Sequence, residues 1–270
     1  MLVSVILPVY NSIEFLEDTI NCVLSQTFTN FEFLISDDCS SDESLKLCLG
    51  YNDDRIKIYD QHTTLGAWRN HEFLLKKGKG KYLFIMGHDD LISENYIERL
   101  VDKLEKHDKA AFSTSTIYNI HYEGKYNTKH KLDLSVLYNK STIETAKEFM
   151  LFPESGGKAN LYHSLIRKEM IGKTGTFVEQ FLFNPGAWGD DYLQIFKVLL
   201  VGNIEYSHDA VFYKRITSDS SNRWKGKDVS KLKKDNILSY NQIIKDSSLS
   251  RLDKEYLYEI VEIKNKQGIK

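Results

Sequence analysis

Residues 1 to 115 alternate between apolar segments typical of buried strands and amphipathic segments typical of helices. Val3 to Pro8 is a continuous apolar, β-branched run, as expected for a strand buried on both faces of a parallel sheet. Ile13 to Leu24 repeats its apolar residues at helical spacing, and Phe31 to Ser36 follows as a second strand. This alternation predicts right-handed crossovers and a doubly wound, mostly parallel α/β sheet with helices on both faces. The segments that continue it are a helix opened by a capping box at Ser40 to Glu43, a strand over Arg55 to Tyr59, a helix over Gly66 to Lys77 and a strand over Lys81 to Met86.

The rest of the chain follows a less regular pattern. Tyr118 to Lys140 is polar and predicts no definite element, whereas Ser141 and Glu144 form a capping box that opens a helix. We expect residues 1–217 to form one α/β domain, with halves at 1–115 and 116–217, and residues 218–270 to form a helical appendage. Further expected elements are a helix over Ser93 to His107, a strand over Ala110 to Thr114, extended segments over Asn160 to Arg167 and Ile204 to Arg215, and a helix over Asp190 to Leu200.

The charge balance and the cysteine content exclude several classes of protein. With 36 Lys and Arg against 38 Asp and Glu, the formal net charge is -2, so no basic field favours nucleic acid as a partner. The three cysteines, Cys22, Cys39 and Cys48, are odd in number and form no C-x-x-C pair. This argues against both a disulfide framework and a zinc knuckle, and it favours a reducing cytoplasm.

The sequence also predicts at most peripheral contact with a membrane. No apolar stretch approaches the length of a spanning helix, and the N-terminus lacks the basic region of a signal peptide. A lysine-rich run in the appendage favours a solvated helix face over a surface for anionic lipid. Its lysines are Lys225, Lys227, Lys231, Lys233 and Lys234.

Polar residues follow three of the predicted strands at the point where each strand ends. Ligands of open α/β sheets bind at the carboxyl ends of the strands, and two carboxylate pairs there repel each other unless a cation or hydrogen-bond donors lie between them. Taken alone, an Asp pair before a helix is typical of a cap or a solvated turn. Together, the pairs favour a phosphorylated ligand and a divalent cation such as Mg²⁺ or Mn²⁺. The residues are Pro8-Val-Tyr-Asn11 after the first strand, Asp37-Asp38 after the second and His88-Asp89-Asp90 after the fourth.

Five segments carry a resemblance to a known family. They are Val3-Ser-Val-Ile-Leu-Pro-Val-Tyr-Asn11, Leu24-Ser-Gln-Thr-Phe28, Phe31 to Ser41, Lys79-Gly-Lys-Tyr82 through Asp89-Asp90, and Trp188-Gly-Asp-Asp191. In this order they resemble the glycosyltransferase family 2 enzymes of GT-A fold, strongly over residues 1–115 and loosely over residues 155–215. The resemblance implies a Rossmann-like sheet whose first half binds a nucleotide and whose second half binds an acceptor.

The resemblance also implies roles for residues of the nucleotide-binding half. Asp38 would accept a hydrogen bond from a ring N–H, as expected for uracil or thymine. Arg69 would be the basic residue near the nucleotide, although Gly66-Ala-Trp-Arg-Asn70 departs from the common spacing of that motif. Asp89 would bind the ribose, and Asp90 would bind the Mn²⁺ or Mg²⁺ ion that neutralises the departing diphosphate. The residues expected to line the nucleobase pocket are Pro8, Tyr10, Asn11 and Asp38.

Asp191 resembles the general base of inverting members of the family. A positioned carboxylate can take the proton of an acceptor hydroxyl while its oxygen attacks the anomeric carbon. Asp190 is the alternative base, and both residues are equally typical of the charge found at a helix N-terminus. Trp188 is a candidate stacking surface for the acceptor sugar, with a core tryptophan as the alternative.

The resemblance therefore implies a metal-dependent, inverting hexosyl- or N-acetylhexosaminyltransferase. It would move a sugar from a UDP- or dTDP-linked donor to a hydroxyl of a glycan or lipid-linked acceptor, in the synthesis of a bacterial surface polysaccharide such as lipopolysaccharide or capsule. The expected place is the cytoplasm, at the inner face of the plasma membrane, and a homodimer through the appendage stays open. One alternative is a catalytically silent nucleotide-sugar-binding protein of the same fold. A nucleotidyltransferase is disfavoured because no basic, glycine-rich loop follows the first strand.

Overall fold

The computed structural model describes residues 2–123, 126–153, 156–174, 190–216 and 229–267. The strands are β1 Val3–Val9, β2 Phe31–Asp37, β3 Ile56–Asp60, β4 Tyr82–Ile85, β5 Leu91–Ile92, β6 Ala110–Glu123, β7 Tyr126–Lys131, β8 Leu165–Arg167 and β9 Asn203–Ile216. The helices are α1 Ile13–Leu24, α2 Ser44–Leu49, α3 Ala67–Lys77, α4 Tyr96–Lys106, α5 Thr142–Leu151, α6 Lys168–Thr174, α7 Asp190–Leu199, α8 Val229–Asp246 and α9 Arg251–Gln267. Short 3₁₀ segments cover Ser135–Leu137 and Lys158–His163.

The first four strands form the parallel part of one sheet, as the alternation predicted. They lie in the order β3-β2-β1-β4, and β1 pairs in parallel with both β2 and β4. Every residue of β2 is buried, so neighbouring elements of the structure cover both faces of this strand. The α/β class and the helix-flanked sheet are therefore confirmed for this half.

The sheet continues with strands of mixed direction. β8 is antiparallel to both β4 and β6, β6 is parallel to β9, and β5 is antiparallel to β9 with Leu91 opposite Tyr213. The complete order is β3-β2-β1-β4-β8-β6-β9-β5, and β7 pairs with the far part of β6. The β5–β9 pairing brings residues near position 214 to the end of β4, which the order of elements along the chain does not suggest.

Several local predictions differ from the structure. The polar stretch from Tyr118 contains the end of β6 and the antiparallel strand β7. Asn160 to Arg167 is extended only from Leu165, because the preceding residues form a 3₁₀ turn. The capping box at Ser40 to Glu43 is wrong: α2 begins at Ser44, whose main-chain N–H donates to the Asp42 carboxylate instead. The second capping box, at Ser141 and Glu144, is confirmed with both of its reciprocal hydrogen bonds.

The two C-terminal helices pack on the second half of the sheet domain. The Tyr240 ring of α8 meets the Phe196 ring of α7 edge-on at 4.8 Å, and Leu257 and Val261 of α9 are buried. The division of the chain at residues 217 and 218 lies outside the described residues and stays a prediction. Among the described helices, none is both long and apolar enough to cross a bilayer.

Candidate active site

The ends of β1, β2 and β4 meet at one edge of the sheet. Because these strands are parallel and adjacent, Val9 lies opposite Asp37, and the main-chain N–H of Asp38 donates to the carbonyl of Val9 at 2.8 Å. The turn that carries Asp89 and Asp90 follows β4 at the same edge. The structure therefore brings the three predicted polar segments together.

The segment after β1 presents one exposed ring and one structural turn. The Tyr10 side chain is exposed, whereas Pro8 is half-buried. Asn11 adopts a left-handed backbone with φ of 46°, which asparagine tolerates better than most residues. Its side-chain oxygen accepts the main-chain N–H of Ser41 at 2.8 Å. Asn11 thus holds the turn after β2 in place beside the exposed Tyr10.

Asp37 and Asp38 bind main-chain N–H groups of neighbouring turns. Asp37 is fully buried and accepts from the N–H of Ser40 at 2.9 Å. The two oxygens of Asp38 accept from the N–H groups of Leu65 at 2.6 Å and Gly66 at 2.9 Å. Each carboxylate oxygen can accept a second hydrogen bond, so a contact between Asp38 and a nucleobase stays a prediction.

The Asp38 contacts position the start of α3. Gly66 precedes this helix with φ of 87°, a backbone conformation that L side chains rarely adopt. Asn70 in the first turns is buried and donates to the carbonyl of Ser36 in β2. Arg69 is exposed next to Asn70, and its predicted contact with the nucleotide is not tested by the structure.

Asp89 and Asp90 bind a lysine from the distant strand β9. The Lys214 Nζ atom lies 3.0 Å from Asp90 Oδ2 and 3.6 Å from Asp89 Oδ1. The other oxygen of Asp90, Oδ1, accepts the main-chain N–H of Arg215 at 2.9 Å. Both Asp90 oxygens therefore have partners on β9, and its side chain is completely buried.

The turn that carries this pair is held in place from two sides. The Thr19 hydroxyl of α1 lies 3.0 Å from the carbonyl oxygens of both His88 and Asp90. A Cβ atom at Gly87 would lie 2.2 Å from Asp90 Oδ2, so only glycine allows the carboxylate to fold back against this main chain. The local sequence thus fixes where the Asp90 carboxylate lies.

His163 completes the surroundings of Asp90. Burial lowers the pKa of His163 to about 3, and the Lys214 cation acts in the same direction, so the ring is neutral. Its Nδ1 atom lies 3.0 Å from the carbonyl oxygen of Ile85 and must carry the hydrogen, because a carbonyl only accepts. The Nε2 lone pair then faces Asp90 Oδ2 at 3.9 Å.

Asp191 lies in the first turn of α7 and acts electrostatically on Tyr162. Burial and the Asp191 carboxylate together raise the pKa of Tyr162. The Tyr162 ring lies 6.4 Å from that of Trp68 and 6.0 Å from that of His71, both on α3. Tyr162 therefore packs against the helix that Asp38 positions.

The other residues predicted for the acceptor side are not described. The main chain of Asp190 begins α7, but its side chain lies outside the described part of the structure, and Trp188 lies outside it altogether. Within the described ranges, no three His, Cys, Asp or Glu side chains are arranged to hold a metal ion.

Sequence patterns did not single out Lys214 or His163 as site residues. Lys214 belongs to an extended segment with an ordinary mixture of polar and apolar residues, and His163 has no local motif. The signal that could have found Lys214 is the register of β5 on β9, since Leu91 opposite Tyr213 places Lys214 beside Asp90.

Comparison with curated proteins finds glycosyltransferases. The chain is 28% identical over 222 residues to an uncharacterized glycosyltransferase of Rickettsia typhi, a match that covers 80% of this chain but only 64% of the relative. It thus spans about two thirds of the length of that relative. It is 30% identical over 141 residues to the Escherichia coli UDP-Glc:alpha-D-GlcNAc-diphosphoundecaprenol beta-1,3-glucosyltransferase WfgD, covering 52% of this chain and 54% of that protein.

Solved structures share the fold at low sequence identity. The S. aureus TarS fragment 1-349 in complex with UDP-GlcNAc matches with a TM-score of 0.72 at 16% identity, over 98% of this chain and 73% of that one. The mannosyltransferase PcManGT of Pyrobaculum calidifontis, in complex with GDP-Man and Mn²⁺, matches with a TM-score of 0.61 at 13% identity, over 96% and 69% of the two chains.

A family model decides the assignment. The model described as glycosyl transferase family 2 matches residues 4–171, which include all but the first residue of β1, all of β2 through β8, and the pairs Asp37-Asp38 and Asp89-Asp90. Together with the shared fold and the curated relatives, this match means that the chain belongs to glycosyl transferase family 2.

Proposed function

We propose that this protein transfers a sugar from a nucleoside-diphosphate donor to a hydroxyl group of a glycan or lipid-linked acceptor, with inversion at the anomeric carbon. The observation that carries the proposal is the sheet edge where Asp38, the Asp89–Asp90 turn and Lys214 meet. Open α/β sheets bind nucleotides at such an edge. The fold shared with a protein solved with UDP-GlcNAc supports a nucleotide-sugar as the ligand, and a UDP- or dTDP-sugar is our preferred donor.

The proposed reaction uses Asp191 as its base. The acceptor oxygen attacks the anomeric carbon from the face opposite the nucleotide, and the carboxylate takes the hydroxyl proton. The bond from the anomeric carbon to the phosphate oxygen breaks, and its electron pair stays on that oxygen. The products are the inverted glycoside and a nucleoside diphosphate with one more negative charge. The electrostatic effect of Asp191 on Tyr162, whose ring contacts α3, supports this role.

The arrangement around Asp90 does not fit the divalent ion expected there. Both of its oxygens already have partners on β9, and the Lys214 cation at 3.0 Å would repel a second positive charge. The family resemblance predicts Mn²⁺ or Mg²⁺ as a cofactor, but because the residues around Asp90 do not fit the ion, no step of the proposed reaction uses it. For the remaining donor-site residues, the roles proposed are those implied by the family: Pro8, Tyr10, Asn11 and Asp38 at the nucleobase, Arg69 near the nucleotide and Asp89 at the ribose.

The acceptor and the biological setting are proposed from the relatives. The name of WfgD states an acceptor linked to a lipid diphosphate, and this supports a lipid-linked or glycan acceptor in bacterial polysaccharide synthesis. We propose the inner face of the plasma membrane as the place of reaction. Hexosyl and N-acetylhexosaminyl transfer are both compatible with this reading.

Two measurements test the proposal. Thermal unfolding with UDP, dTDP, GDP, CMP and ADP, each in EDTA and in Mn²⁺, identifies the nucleotide, because a ligand of the native state raises the melting temperature. Transfer from the matching sugar nucleotide is then measured for Asp191→Asn. We expect kcat to fall about 100-fold or more, with the Kd of the nucleotide unchanged, because only proton removal is lost.

Asp253→Asn is the matched control, since Asp253 also lies in the first turn of a helix but far along the chain, in α9. Its transfer rate should equal that of the wild type. Equal transfer by Asp191→Asn would show that another group is the base. Nucleotide binding without transfer to any of a broad set of acceptors would favour the catalytically silent alternative, and no binding of any nucleotide would contradict the proposed donor site.

A further inference from the structure

Lys214 lies at the sheet edge where the donor diphosphate is proposed to bind. Its strand, β9, pairs with β5 directly after the Asp89–Asp90 turn, and its ammonium contacts both carboxylates of that turn. The Lys214 side chain is 21% exposed, whereas that of Asp90 is completely buried. The ion pair therefore joins a completely buried carboxylate to a lysine side chain that keeps some exposure to solvent.

The lysine is charged in this setting. Its Nζ atom lies 3.0 Å from Asp90 Oδ2 and 3.6 Å from Asp89 Oδ1, and two carboxylates at these distances favour the charged ammonium. An ammonium group has three N–H donors and no acceptor. Asp90 takes one donor at 3.0 Å and Asp89 lies within ion-pair distance at 3.6 Å, so at least one donor remains for a ligand.

The next residue of β9, Arg215, has different partners. Its guanidinium lies 4.2 Å from the centre of the Phe15 ring and 3.4 Å from Asp18. Lys214 is thus a cation held directly against the carboxylates of the Asp89–Asp90 turn.

We propose that the Lys214 ammonium binds the diphosphate of the donor and stabilises it as the leaving group. The inference rests on the proposed function, and it gives this chain a fixed positive charge at the place where Asp90 was expected to hold a metal ion. When the glycosidic bond to the phosphate oxygen breaks, the electron pair stays on that oxygen. Lys214 keeps its proton and stabilises the added negative charge.

The test compares ligands that differ only in phosphate number. The Kd values of uridine, UMP and UDP, or of the corresponding series for the base selected above, are measured by calorimetry for wild type and Lys214→Met. Since a hydrogen bond to a charged group is lost, UDP should bind about 10-fold to 100-fold more weakly to the variant. Uridine should bind equally to both proteins, because the base pocket is unchanged.

Three further variants separate ligand binding from structural damage. Lys214→Arg keeps the positive charge and should retain most of the preference for UDP over uridine. The double variant Lys214→Met/Asp90→Asn removes both charges together, so no buried carboxylate is left without a partner, and it should fold yet still lose the preference. Lys57→Met is the matched control, because Lys57 is also paired with a buried carboxylate, that of Glu32 at 2.9 Å, but lies in β3.

The outcomes are distinct. A loss confined to the phosphorylated ligands, present in the double variant and absent in Lys57→Met, supports the proposal. Unchanged UDP affinity in a folded Lys214 variant overturns it and leaves the proposed function intact. Equal weakening of uridine and UDP also overturns it, since the lysine would then act only through the structure of the site. If wild type binds no nucleoside diphosphate in EDTA or in Mn²⁺, the proposed function itself fails.

Discussion

Two Asp-Asp pairs, Asp37-Asp38 and Asp89-Asp90, lie at the ends of the strands on either side of β1, yet their partners differ. Main-chain N–H groups bind Asp37 and Asp38, and these contacts hold the turn after β2 and the start of α3. Asp89 and Asp90 instead contact the side-chain cation of Lys214. The Asp37-Asp38 pair therefore holds loops in position, whereas the Asp89-Asp90 pair sets the charge of the site.

This difference teaches that the position of a carboxylate at a strand end does not determine its role. Neutral N–H donors leave the negative charge of the first pair in place, whereas an ammonium compensates one charge of the second pair. The following variants measure how far the two pairs differ.

The largest effect is expected from Asp90→Asn. The change leaves the partly buried Lys214 cation without its nearest counter-ion, and breaking a buried pair in this way costs about 3 to 5 kcal/mol. Asp38→Asn loses only one main-chain hydrogen bond and should cost about 1 to 3 kcal/mol. The free energy of unfolding in urea measures both. Equal costs for the two variants would contradict the distinction between the pairs.

A smaller effect is expected at the glycines that accompany the pairs. In Gly87→Ala the new Cβ would lie 2.2 Å from Asp90 Oδ2, and the forced shift should cost up to about 3 kcal/mol. In Gly66→Ala no atom lies within 4 Å of the new Cβ, so only the backbone opposes the change. Its φ of 87° with ψ of 154° is a conformation essentially restricted to glycine, and the variant should lose about 1 to 3 kcal/mol. Urea unfolding of both variants measures these costs, and an unchanged free energy of unfolding in either variant would contradict the prediction.

Acid should lower the free energy of unfolding of the protein because of His163, which lies beside Asp90. The pKa of His163 is lowered by burial to about 3 in the folded state, below its unfolded value of about 6.5, so the unfolded chain binds more protons between these pH values. Stability should therefore fall as the pH falls through this window, by about 2 kcal/mol from pH 6.5 to 5. His163→Asn keeps an N–H donor for the Ile85 carbonyl and should lack this part of the pH dependence. The unfolding free energies of both proteins at the two pH values measure it, and parallel curves would contradict the prediction.

Sequence patterns predicted the first half of the fold well because its contacts follow the order of the elements. After each parallel strand, a helix returns the chain to the level where the next strand begins, so these strands all end at the same edge. The meeting of Asp38 with the Asp89–Asp90 turn therefore follows from connectivity. The failed capping box at Ser40 has a local cause, since the Ser40 hydroxyl accepts the main-chain N–H of Asn11 and the Asp42 carboxylate accepts that of Ser44, so α2 starts later.

The partners of Asp90 could not be predicted in the same way. They depend on the register of β9 against β5, and a shift of one residue would turn Lys214 to the other face of the sheet. No local pattern determines that register. His163 lies at the end of a 3₁₀ turn whose position depends on β8, a strand of three residues. The part of the candidate site that lies between β4, β8 and β9 therefore required the structure.

The pairing of Asp90 with Lys214 joins residues 124 positions apart. During synthesis, the ribosome releases both carboxylates of the second pair long before it releases the strand that carries their cation. A nascent chain that has folded only its first four strands thus presents an uncompensated acidic edge, which repels phosphorylated metabolites. The edge gains the Lys214 cation only after β9 has emerged and paired with β5. Any affinity for a diphosphate that Lys214 adds appears at the same time.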